Sequence, residues 1–152
     1  MKHVHVECIP DEVLVKQLGF TKHQITHHHA KSRVIKKLRK VKNELAMVDE
    51  DPGTNKTTYE KSLKFLKEQN GIKQYVDDSG NLIAVLNGKL EDWILWVCKG
   101  SKIDISDFGL PANESELHEK IHLRLNSFKK LINHLVETNN QPIQSLKSFL
   151  TQ

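Results

Sequence analysis

A chain of 152 residues, 38% hydrophobic and 28% charged, can bury one core of its own, and no apolar run approaches the ~20 residues a bilayer span needs. A membrane partner is therefore not expected, while the net charge of +4 leans toward a polyanion, DNA or RNA. Cys8 and Cys98 lie too far apart to form a metal-ligand pair and read as reduced thiols. With Met1-Lys2-His3-Val4-His5-Val6 lacking a signal-peptide core, the expectation is a cytoplasmic protein.

Residues 2–7 read as a strand, Val4 and Val6 alternating with His3 and His5, and Glu7 ending the run. Pro10 opens a helix with Asp11 and Glu12 in its first turn, where the helix dipole favours acids. Val13, Leu14 and Leu18 form its apolar face and Gly19 stops it. Residues 22–28 read as a short strand around Ile25, running into His27-His28-His29. In extended chain only His27 and His29 share a face, and the run reads as exposed or hydrogen-bonded histidines rather than a metal site. Residues 31–44 form a basic helix with Val34, Leu38, Val41 and Leu45 on one stripe. Lys31, Arg33, Lys36, Lys37 and Lys40 around that stripe are candidates to track phosphates, the alternative being a plain solvated face.

The apolar run Leu45-Ala46-Met47-Val48 breaks into Asp49-Glu50-Asp51, then into Pro52-Gly53. It reads as a buried strand ended by a turn, with Asp49 and Asp51 on one face. Residues 57–69 read as a helix on Tyr59, Leu63 and Leu66, stopped by Gly71. Residues 72–76 and 82–86 form a hairpin across Asp77-Asp78-Ser79-Gly80-Asn81. Asn87-Gly88 leads into an apolar helix over 90–97, and 101–112 reads as an irregular connection. The longest helix spans 114–137, capped by Asn113 with Glu116, on a stripe of Leu117, Ile121, Leu125, Phe128, Leu131 and Leu135. A last helix starts at Pro142. Alternating β and α elements followed by helices predict an α/β fold: a mostly parallel sheet flanked by helices in one domain, 1–152, with its core in 1–100 and a helical extension over 113–152.

Parallel sheets of this class bind ligands outside the carboxyl ends of their strands. Glu7, Asp49 and Asp51 reach one edge if their strands are parallel, and Glu91 joins them if strand 82–86 runs parallel as well. A carboxylate pair of this kind suits a hard cation such as Mg²⁺.

Three motifs, in order across residues 1–97, carry a family resemblance. Val6-Glu7-Cys8-Ile9-Pro10-Asp11-Glu12 resembles the first motif of Toprim domains, a Glu at a strand end before a helix that begins with acids. Asp49-Glu50-Asp51 resembles their DxD motif. Asn87-Gly88-Lys89-Leu90-Glu91-Asp92-Trp93-Ile94-Leu95 resembles the NP-x-(F/L)-E-x-W-L-L segment of small Toprim proteins of the RloB and OLD-nuclease kind. The chain departs at Cys8, where the family usually has Gly, and at Gly88, where it usually has Pro; residues 98–152 match no motif. The resemblance implies a Toprim-like sheet and phosphodiester hydrolysis with Mg²⁺ or Mn²⁺, as in a nuclease serving defence or acting as a toxin. It makes Glu7, Asp49, Asp51 and Glu91 catalytic. Glu7, Asp49 and Asp51 would hold metal, and Glu12 and Asn87 would stand behind them. It also implies a nucleic-acid substrate and a possible ATPase partner protein. Tyr59 and Tyr75 fit core positions better than a nucleophile's, which favours hydrolysis over a topoisomerase reaction. Two alternatives stay open: a Toprim-like binding module with weak or lost catalysis, and a receiver-like phosphoacceptor, for which Lys89 is poorly placed.

Overall fold

The alternation of Val4 and Val6 with His5 becomes β1 (Val4–Val6), inner strand of a single sheet. The structure, a computed structural model, describes residues 2–152. Joining β1 are β2 (Ile25–His27), β3 (Leu45–Asp49), β4 (Lys64–Gln69), β5 (Ile72–Val76) and β6 (Leu82–Leu86), in the order β2-β1-β3-β6-β5-β4. The pairings of β1 with β2, β1 with β3 and β3 with β6 are parallel; β5 runs antiparallel to both β6 and β4. The fold is thus α/β with a mixed, mostly parallel sheet. Strand 82–86 meets the condition that brings Glu91 to the edge shared by Glu7 and Asp49.

Period-two alternation splits the core between the two faces of the sheet. Val4, Val6, Leu45, Met47, Ile72 and Leu86 point to one face. There they pack under α1 (Ile9–Gln17), α4 (Leu90–Gly100), α5 (Glu114–Lys120), α6 (Leu125–Glu137) and α7 (Gln141–Leu150), in a cluster that runs from Val4 to Leu150. Ala46, Val48 and Ile83 point to the other face, beneath α2 (Lys31–Leu38) and α3 (Thr58–Ser62).

Four predicted elements differ. Helix 57–69 is replaced by α3, which ends at Ser62, and by strand β4. Asn70 and Gly71 both have positive φ, 53° and 76°, and make a two-residue turn that folds Lys64–Gln69 back onto β5. The basic helix stops at Leu38 rather than 44, because the side chain of Asn81 donates to the Leu38 and Val41 carbonyls, both at 3.0 Å. Leu45 consequently belongs to β3. Helix 114–137 breaks at a 3₁₀ turn, Ile121–Leu123, because its halves pack on different neighbours, α5 on α4 and α6 on α1. Lys22–Gln24 is a 3₁₀ turn, so the second strand begins only at Ile25.

Candidate functional site

Parallel pairing of β1 with β3 sets Val6 beside Met47, so Glu7 leaves the sheet next to the end of β3, one position short of Asp49. The Asp49 backbone N–H donates to Glu7 Oε2 at 2.6 Å, which fixes the Glu7 carboxylate over the end of β3. Helix α1 starts at once, and Asp11 folds back from its first turn. Asp11 Oδ2 accepts from the Cys8 backbone N–H at 3.1 Å and from the Cys8 thiol at 3.2 Å. Asp11 is only 1% exposed, because α1 lies flat on the sheet and turns that side inward. Helix α4 begins just beyond β6 and brings Glu91 to the same edge, 4% exposed. Asp51 follows two residues after Asp49, half-buried.

These acids crowd one another. Burial, then the charges of Asp11, Glu7, Glu91 and Asp51, push the Asp49 carboxyl up to about 9. Burial also pushes Asp11 up to about 7, against the opposing hydrogen bonds from Cys8 and with help from Glu7 and Glu91. Glu7 is raised by burial, which outweighs the bond from the Asp49 N–H. Asp11 Oδ1 and Asp49 Oδ1 are both buried without a hydrogen-bond partner. Buried carboxylates are ordinarily hydrogen-bonded or ion-paired, since an uncompensated charge in the interior is costly. Here compensation comes either from protons, which is what the raised pKa values describe, or from a cation among the carboxylates. The donor set, all carboxylate oxygen, fits Mg²⁺ or Mn²⁺. Among the described residues no group of three or more His, Cys, Asp or Glu side chains is already arranged to hold a metal ion. A cation at the Asp11 and Asp49 oxygens would draw its remaining ligands from Glu7, Asp51 or water.

Of the residues expected from the sequence, Glu7, Asp49, Asp51 and Glu91 gather at this edge, linked electrostatically through Asp49. Glu12 does not join them. It faces away, 3.4 Å from Lys16 and 3.3 Å from His27, because consecutive residues of a helix point about 100° apart. Asp11 takes the inward place instead. Asn87 sits at the end of β6, but its amide donates to Glu68 of β4 at 3.0 Å rather than to one of the acids, and its Oδ1 is buried without a partner. Glu50, between the two aspartates, pairs with Lys73 on the other face.

Two residues at the edge escaped the sequence reading. Asp11 looked like a dipole-complementing surface acid. His118, from α5, places Nδ1 3.3 Å from Glu91 Oε1 across 27 positions of sequence, a contact no local signal announces.

The basic helix is only partly at the site. Lys31, at its start, pairs with Glu60 at 3.2 Å, and its charge acts on Glu7. Arg33, Lys36 and Lys37 are exposed on a helix that runs back from the acidic edge toward the start of β3, and Lys40 is exposed in the turn just past its end. The histidine run is woven into hydrogen bonds. His28, not its neighbours, turns toward the sheet and bonds His5 at 2.9 Å, and His5 bonds Glu44 at 2.8 Å. His27 and His29 pack ring to ring at 4.6 Å. Cys8 is held as a neutral thiol, its pKa pushed far up by burial and by Asp11, which removes it as a nucleophile. Compared with protein-family models, with curated proteins and with solved structures, the chain matches none of them.

Proposed function

We propose that this chain is a small Toprim-like nuclease that hydrolyses phosphodiester bonds of DNA or RNA with Mg²⁺ or Mn²⁺. The observation that carries the reading is the pair of orphaned, buried oxygens on Asp11 and Asp49 inside a crowd of carboxylates at the carboxyl edge of parallel strands. Asp49 and Asp11 would hold the cation, with Glu7 and Asp51 completing its oxygen shell. When bound, the cation would neutralise phosphate charge and make a coordinated water acidic. Glu7 is locked in direction by the Asp49 N–H, and burial raises its proton affinity, so it is placed to take a proton from an attacking water. His118 stands beside Glu91 at the outer side of the cluster, where it can exchange a proton with that carboxylate. Lys31 contributes positive charge at the mouth, against the Glu60 it is paired with. Tyr59 donates its hydroxyl to Asp77 at 2.6 Å, away from the acids, which supports hydrolysis rather than a tyrosine-linked intermediate.

One observation favours the second reading, a binding module with restrained catalysis. The Cys8 thiol occupies Asp11 Oδ2, at the position where the family usually has Gly. The two readings separate in one comparison. Mn²⁺ raises the melting temperature of the wild type by several degrees, and neither Asp49→Ala nor Asp49→Ala/Asp51→Ala responds. Oligonucleotide cleavage follows the same pattern, the double variant losing at least about a hundredfold. Cleavage by the double variant at the wild-type rate would overturn the nuclease reading. Mn²⁺ binding without cleavage of any DNA or RNA would select the binding module. The ATPase partner and the defence role come with the resemblance alone; no surface of the structure is assigned to them.

A further inference from the structure

Beside the acidic edge, on the face covered by α2 and α3, lies a cavity of about 210 Å³. Its floor is the sheet itself, Val48, Ile83 and Val85, and Tyr59 and Tyr75 stand in its walls. Its rim is polar: Lys31, Glu50, Asp51, Thr54 and Lys56. Asp51 therefore belongs to two places at once, the cavity rim and the carboxylate cluster, where its charge acts on both Glu7 and Asp49.

We propose that this cavity receives a single nucleobase, the one attached to the phosphate that the acidic edge holds. The proposal rests on the phosphodiester reading and adds the substrate class: single-stranded or extruded nucleotides rather than intact duplex. Size sets the first constraint. Pockets for drug-sized ligands run to about 300–1,000 Å³, so this cavity suits one ring system with little else. Lining sets the second. An apolar floor with aromatic walls takes a flat ring, and a rim of carboxylates, a hydroxyl and two ammonium groups meets the hydrogen-bonding edge of that ring. The walls are already fixed, because Tyr59 is tied to Asp77 at 2.6 Å and Tyr75 packs against Phe65 at 5.6 Å between ring centres. Position sets the third. A phosphate held through a cation at Asp49 and Asp51 would bring its own nucleoside to the cavity mouth. A base still paired inside a duplex cannot enter, so the enzyme must take it out of the stack or meet it unpaired.

The test uses adenosine and uridine 5′-monophosphates beside ribose 5-phosphate, titrated calorimetrically into the full chain in the presence of Mn²⁺. The nucleotides bind about tenfold or more tighter than the sugar phosphate. Thr54→Trp, a change at an exposed loop position on the rim, fills the mouth and removes that difference while leaving Mn²⁺ binding intact. Tyr75→Ala weakens the same difference from the wall. Equal binding of nucleotide and sugar phosphate, or a nucleotide preference that Thr54→Trp leaves untouched, would overturn the proposal. The two readings fail separately. Loss of Mn²⁺ binding and cleavage with the nucleotide preference retained removes the nuclease and keeps the base pocket. Equal cleavage of a single strand and of the flush duplex of the same sequence keeps the nuclease and removes the base pocket.

Discussion

Asp49 is the residue at which burial and charge pull hardest against each other. Its carboxyl has an ordinary pKa of 3.8 and stands near 9 in the folded chain. Between those values the folded state holds a proton that the unfolded chain has released. Stability from this group is therefore full below the unfolded pKa and is lost as pH rises through the folded one. Asp11 adds a slope of the same sign, ending near 7. Asp49→Asn is expected to stabilise the metal-free protein at pH 8 by about 1–2 kcal/mol, a few degrees in Tm, and to have no effect at pH 4. Thermal melts of both proteins at pH 4, 6 and 8 check this, and a constant offset across pH would show that Asp49 is not the titrating group. In the proposed nuclease a bound cation would relieve this destabilisation, so that stability yields to function at this position.

At the scale of elements, the hairpin of β4 and β5 depends on one turn. Gly71 has φ of 76°, and a Cβ there would stand 2.9 Å from Cδ1 and Nε1 of Trp93. The Trp93 indole also donates to the Asn70 carbonyl at 3.0 Å, so the turn is clamped to α4 from the Asn70 side as well. Gly71→Ala meets both a left-handed backbone and a buried ring, and is expected to cost about 2–3 kcal/mol, measured by denaturant unfolding. A change below about 0.5 kcal/mol would mean the turn relaxes freely. Asn-Gly between two candidate strands is among the strongest local hairpin signals, and it stands in the sequence. Helical spacing of Tyr59, Leu63 and Leu66 masked it. Tyr59 and Leu63 do pack on the second face, whereas Leu66 is 44% exposed on an edge strand. Asn81 is the counterpart between elements: fully buried, it bonds the end of α2 with its amide and accepts the Glu44 N–H at 2.9 Å. Nothing in a run of turn residues distinguishes that one asparagine from its neighbours.

At the scale of the whole molecule, the acids of the site and the basic surface of α2 occupy different places. Glu7, Asp11, Asp49 and Glu91 sit at the carboxyl edge, while α2 starts at Lys31 beside that edge and carries exposed Lys36 and Lys37 toward the start of β3. In the proposed nuclease, a nucleic-acid strand entering the acidic edge would pass along that helix, where Lys36 and Lys37, with Lys40 in the turn beyond it, would neutralise its phosphates. The triple alanine variant is expected to lower single-strand affinity and to flatten the slope of log K against log salt by about 2. Titrations at several salt concentrations read it directly, and an unchanged slope would make the helix a solvated face. No helix among the described residues is long and apolar enough to cross a membrane.

The sequence by itself determined the elements whose signals are local. Alternation gave β1, an unbroken apolar run gave β3, the Asp-Ser-Gly-Asn loop gave the hairpin of β5 and β6, and apolar stripes gave α4 and α6. It also placed Glu7, Asp49 and Asp51 at strand ends, since a chain that leaves a buried strand must change from apolar to polar. Only the tertiary structure decided which first-turn acid of α1 turns inward, Asp11 rather than Glu12, because that depends on how the helix lies on the sheet. It alone brought His118 to Glu91, and it alone opened the cavity beside Asp51 between two helices and the sheet. Burial and mutual repulsion are properties of groups brought together from distant positions, so the raised proton affinity that marks Asp49 exists only once the strands have paired.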